Sequence, residues 1–101
     1  MEHVTHLNLG GNPIERGWEH LGSLRQLRKL GLACCGLTEL PAALAGMESM
    51  TRLDLIYNSI GRGWERLRPL RQLRELKVDR GEEINILEAV KALKHLTILH
   101  F

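Results

Sequence analysis

The sequence predicts an α/β solenoid, with a short-stranded parallel sheet on a concave side and helical or 3₁₀ segments on a convex side. Three observations predict it. Apolar columns recur every 23 residues without insertion or deletion: Val4, Leu27, Met50, Leu73 and Leu96; then Leu7, Leu30, Leu53, Leu76 and Leu99; then Leu9, Leu32, Leu55, Val78 and Phe101. In each repeat the last two of these positions stand two apart, so they point to one face of an extended segment. Apolar residues then follow at every third or fourth position, as in Leu21, Leu24 and Leu27, which suits a helical return to the next strand.

The elements follow in order. Repeats span 4–26, 27–49, 50–72 and 73–95, with a partial fifth strand at 96–101, and together make one domain over residues 1–101. One such unit cannot bury its apolar side alone, so neighbours stack. After each strand comes a column of Asn12, Cys35, Asn58 and Gly81. An asparagine amide there bonds to turn backbone that would otherwise be buried unpaired; a thiol does this more weakly and a glycine not at all. A longer period is superimposed, because the segment from Asn12 to Leu32 matches that from Asn58 to Val78 at 13 of 21 positions. The first and third repeats carry Gly17-Trp18 and Gly63-Trp64 where the second carries Leu40-Pro41. Each tryptophan ring is expected to fill the volume the glycine vacates, its N–H reaching a carbonyl or solvent; the competing expectation makes Trp18 and Trp64 exposed anchors. In the fourth repeat Glu83 breaks an apolar column, and Asn85-Ile86-Leu87-Glu88 resembles a capping box opening an α-helix through the Ala89, Val90, Leu93 and Leu96 spacing.

The pattern L-x-x-L-x-L-x-x-N-x-L resembles the leucine-rich repeat family. Leu40-Pro41-x-x-Leu44 is similar to its short 23-residue subclass, and the match runs from Val4 to Phe101. The resemblance implies a curved leucine-rich repeat array, a non-catalytic module that binds a protein or peptide through its concave face and rim. The alternative is a fragment or recognition arm of a larger protein of this family whose effector domain lies elsewhere.

Strand alternation places His6, Lys29, Arg52, Glu75 and Ile98 in one concave column and Asn8, Gly31, Asp54, Lys77 and His100 in the next. Gly10, Ala33, Ile56 and Asp79, then Gly11, Cys34, Tyr57 and Arg80, flank them. The candidate partner-binding residues are Arg52, Asp54, Ile56, Tyr57, Lys29, Glu75 and Lys77, with Tyr57 and Arg52 at the centre. The competing expectation is a solvated face tied by cross-strand pairs such as Arg52–Glu75 and Asp54–Lys77. Five strands present a face of roughly 200–250 Å², short of the roughly 800 Å² per partner of a standard interface. Tight binding would therefore recruit the rim. The apolar ends, with Leu96, Leu99 and Phe101 incompletely covered, predict self-association.

Other classes are set aside by composition. The longest apolar stretches fall far short of the roughly 20 residues that span a bilayer, and the Met1-Glu2-His3 start lacks a signal-peptide layout. Adjacent Cys34 and Cys35 suit free thiols in a reducing, cytoplasmic setting. No metal, cofactor or catalytic arrangement is expected: His3 and His6 lean to opposite faces, no phosphate loop is present, and Ser23, Ser49 and Ser59 have no His–Asp partners. A formal charge of +2, from 14 basic and 12 acidic residues, is too balanced to imply nucleic acid or an anionic membrane. Nucleic-acid binding through Arg25, Arg28, Arg62, Arg66, Arg68, Arg71 and Arg74 ranks last, because Glu19, Glu65 and Glu75 interleave and no aromatic row accompanies them.

Overall fold

The computed structural model describes residues 4–14, 18–21, 23–79, 83–91 and 93–100, and of residues 19, 83–85 and 100 the backbone alone. The expectations for His3, Gly17, Arg80, Gly81 and Phe101, and for the side chains of Glu83, Asn85 and His100, lie outside the described residues.

Each L-x-x-L-x-L segment supplies a strand whose outer residues alternate with leucine. The five strands are β1 (His6–Asn8), β2 (Lys29–Gly31), β3 (Arg52–Asp54), β4 (Glu75–Val78) and β5 (Thr97–His100). They form one parallel sheet in chain order, an α/β arrangement with few helices. Leu7 pairs with Leu30, Leu30 with Leu53 and Leu53 with Leu76, so the 23-residue spacing is the pairing register over the first four strands. Leu30, Leu53 and Leu76 are buried beneath the sheet, while Lys29, Arg52 and Glu75 stand in a row on its open face.

The returns differ in kind. The first holds a single helical turn, α1 (Trp18–Leu21), the next two are 3₁₀ segments at Ala42–Gly46 and Trp64–Leu67, and the fourth is α2 (Glu83–Val90). All four end in the same tight turn, with Leu27, Met50, Leu73 and Leu96 donating their N–H to Leu24, Met47, Leu70 and Leu93 carbonyls at 3.1, 3.1, 3.0 and 3.3 Å. The apolar residue at each end of this turn faces inward, and the core of Leu24, Leu27, Leu44, Met47, Met50, Leu67, Leu70 and Leu73 lies between the returns and the sheet. Every fully buried leucine of this kind contributes about 2 kcal/mol.

Helix α2 begins earlier than the capping-box reading expects and ends sooner, at Val90, because the chain turns through the Leu93 N–H to Val90 O and Leu96 N–H to Leu93 O bonds in place of further helix. Asn85 has helical backbone inside the element and is not its cap. Ile86, Ala89, Val90 and Leu93 form the buried stripe, and a helix that presents Ile86 together with Val90 needs the turn before it, whose carbonyls accept the N–H groups from Leu87 onward.

The fifth strand departs from the columns. Glu75 pairs with Thr97, 22 residues on, and Leu76 pairs with Ile98. Thr97 donates to Arg74 O at 2.8 Å directly after the turn at Leu96, as Thr51 donates to Arg28 O at 2.8 Å after the turn at Met50, so the two repeats stay aligned up to this point and the slip begins with the pairing of Thr97. The strand starts one residue early, and a slip of one residue exchanges the two faces. Ile98, expected on the open face, packs against the core, and Leu99, expected in the core column, stands opposite Lys77. His100 likewise pairs with Val78 in place of Lys77. Adjacent isoleucine and leucine offer an apolar residue to the core in either register, so hydrophobic pattern does not choose between them.

Behind the strands, Asn58 is buried and bonds in all directions. Its Nδ2 donates to Leu32 O at 2.8 Å, Leu55 O at 3.1 Å and Ile56 O at 3.3 Å, and its Oδ1 accepts from Cys35 N and Leu37 N, each at 3.0 Å. Cys35 occupies the same place one repeat earlier, where its thiol donates to Leu9 O at 3.2 Å and Ala33 O at 3.6 Å.

Trp64 is core, 6% exposed, over Gly63. The glycine is required here: its φ is +89°, and a Cβ would stand 3.0 Å from Leu40 N and 3.1 Å from Leu40 O. The ring fills the space, but its N–H does not find the expected carbonyl or solvent, because Nε1 is buried with no hydrogen-bond partner. The hydrophobic volume of the ring outweighs one unmade bond. Trp18, in the first repeat, is half-buried.

Candidate functional site

The open face of the sheet carries a shallow depression of about 390 Å³ over strands β1–β4. Its two walls follow from strand alternation: His6, Lys29, Arg52 and Glu75 form one row, and Asn8, Gly31, Asp54 and Lys77 the other. Gly31 makes the low point. A Cβ on it would lie 2.7 Å from Asn8 Oδ1, and that oxygen is occupied in accepting the Gly10 N–H at 2.9 Å. The Asn8 side chain therefore leans over β2 only because residue 31 has no side chain.

Charges of both signs line the face. Arg52 Nε lies 3.1 Å from Glu75 Oε2 across the strands, and Asp54 stands in register with Lys77. Asp54 also turns the chain, its Oδ1 accepting the Ile56 N–H at 3.1 Å, as Asn8 does for Gly10. Of the seven residues expected to meet a partner, Lys29, Arg52, Asp54, Glu75 and Lys77 line the depression. Ile56 and Tyr57 lie beyond the strand end, Ile56 half-buried and Tyr57 67% exposed.

Tyr57 is held there by its backbone. Gly11, Cys34 and Tyr57, each 23 residues apart, have φ of 80°, 55° and 59°, so every described turn after a strand passes through the left-handed region. Gly11 and Cys34 donate their N–H to a carbonyl of the next repeat, Ala33 O at 2.8 Å and Ile56 O at 3.1 Å. Tyr57 donates instead to the Asp79 carboxylate, at 2.9 Å to Oδ1 and 3.0 Å to Oδ2. A side chain has replaced a backbone acceptor, and a charged acceptor makes the stronger bond. Strand alternation gives Asp79 only as a flanking residue; the only signal for its role is its position one repeat after Ile56.

Arg25, Arg28, Arg62, Arg66, Arg68, Arg71 and Arg74 separate into two places. Arg62 Nε and Arg66 Nη1 lie 3.4 and 3.5 Å from Glu39 Oε2, and Arg66 also donates to Leu40 O. The other five sit elsewhere, around the turns that precede the strands. A second depression, of about 840 Å³, is lined by Trp18, Ile14, Leu37, Pro41 and Arg66. Cys34 and Cys35 are both free thiols, the first exposed and the second buried. Among the described residues no three His, Cys, Asp or Glu side chains group as metal ligands, and no helix is long and apolar enough to cross a membrane.

The parallel sheet thus defines an α/β chain with an open, mixed-charge face. No protein-family model matches it, and no curated protein matches its sequence.

Proposed function

We propose that the chain is a leucine-rich repeat solenoid serving as a non-catalytic interaction module, and that it binds a protein or peptide on the open sheet face and the rim at Tyr57. The observation that carries the reading is the pairing of a charged depression with an exposed aromatic that the backbone holds in place. Lys29, Arg52, Asp54, Glu75 and Lys77 offer ionic and hydrogen-bonding groups in fixed register. The Tyr57 ring offers apolar area at low entropic cost, being anchored through Asp79. The Arg52–Glu75 pair is partly exposed and readily exchanged for partner contacts.

Peptides selected against the protein from a random display library test the proposal. The double substitution Arg52→Ala with Tyr57→Ala is expected to weaken the selected peptides by about tenfold or more. Unchanged affinity across the selected set would remove this face as the site.

A further inference from the structure

We propose that the edge made by the turns that precede the strands is a second binding surface, separate from the open sheet face, and that its occupant is an acidic segment of a partner protein. The sequence repeats Leu-Arg-Gln-Leu-Arg at 24–28 and 70–74. In both copies the leucines are buried and the arginines exposed. The backbone brings the copies to one edge: Arg28 N donates to Thr5 O at 2.7 Å, Thr51 N to Arg28 O at 2.8 Å, Arg74 N to Thr51 O at 2.8 Å and Thr97 N to Arg74 O at 2.8 Å. Neighbouring turns are therefore about 4.8 Å apart, and the position after the first buried residue reads Arg25, Glu48, Arg71, Lys94.

Arg25, Arg28, Arg68, Arg71, Arg74 and Lys94 are all exposed, and none makes an ion pair among the described residues. Glu48 lies between them, sharing one shallow depression with Arg68 and Arg71 and another with Arg25, and it pairs with neither side. A chain with a formal charge of only +2 has thus gathered unpaired positive charge on one edge. Guanidinium forks bind carboxylates in two-point fashion.

The surroundings favour a polypeptide over other polyanions. A nucleic acid presents phosphate at every step, including the one opposite Glu48, whereas a peptide can set an uncharged or basic residue there. Exposed Tyr57 follows its strand and is remote from these turns, and the turn residues at 25–26, 48–49, 71–72 and 94–95 are polar, with the exposed His95 imidazole the one ring among them, so bases find no row of rings to stack on and a bilayer no apolar side chain to take up.

Fluorescence anisotropy with a labelled peptide carrying Asp and Glu at alternate positions tests this. Binding is expected at about 50 mM salt and is expected to weaken several-fold at about 300 mM. Arg68→Glu, Arg71→Glu and Arg74→Glu together should weaken it by about tenfold or more, with the three glutamine changes following in the same direction. Arg52→Ala with Tyr57→Ala should leave it within about twofold, which separates this surface from the sheet face. An unchanged affinity in the triple variants, or no binding by the native protein at low salt, overturns the proposal. Tighter, arginine-dependent binding of a labelled single-stranded RNA or of phosphatidylserine vesicles overturns the assignment of the partner.

Discussion

The second and third repeats meet the same backbone demand with different chemistry. Behind the third strand, Asn58 joins two repeats through both ends of its amide. Behind the second, Cys35 contributes one thiol donor. The return segments differ in a parallel way, with Leu40 and Pro41 filling the space in the second repeat and Gly63 with Trp64 in the third. The comparison teaches that the repeat fixes where a group must sit and leaves open how strongly it is tied. The third repeat carries the more exacting solution in both places.

That difference can be broken by substitution. Asn58→Ala leaves two buried N–H groups and two buried carbonyls short of a partner, and is expected to cost about 3 kcal/mol of stability in urea unfolding. Gly63→Ala comes next, at about 2 kcal/mol, because the left-handed backbone and the contact with Leu40 both resist a Cβ. Cys35→Ala, measured by the same urea unfolding, should cost the least, about 1 kcal/mol, since a weak donor and a small apolar volume are lost. Equal losses for Asn58→Ala and Cys35→Ala would show that the amide does no more than the thiol, and the contrast between the repeats would disappear.

Much of this arrangement was legible in the residues themselves. The i, i+2 leucines named the strands and the 23-residue spacing named their partners, because burial on one face leaves only one register for four of the five strands. The same alternation put Lys29, Arg52, Asp54, Glu75 and Lys77 on one face. Tyr57 was legible as a rim residue, but the Asp79 carboxylate under its N–H was not, since nothing in sequence says that a side chain will stand in for a carbonyl. The unpaired state of Trp64 Nε1 and the early start of α2 depend on neighbours that a linear pattern does not contain.

Over the first four strands the sequence by itself determined which leucines leave water, because apolar spacing and strand or turn geometry share a period. Only the tertiary structure decided whether Ile98 or Leu99 enters the core, where both are apolar and the pairing of Glu75 with Thr97 and of Leu76 with Ile98 selects Ile98. It also decided that Arg62 and Arg66 pair with Glu39 while Arg25, Arg28, Arg68, Arg71 and Arg74 share one edge. Residues 23 apart in the chain become neighbours about 4.8 Å apart only when strands pair, and charge acts through that distance, not through position in the sequence.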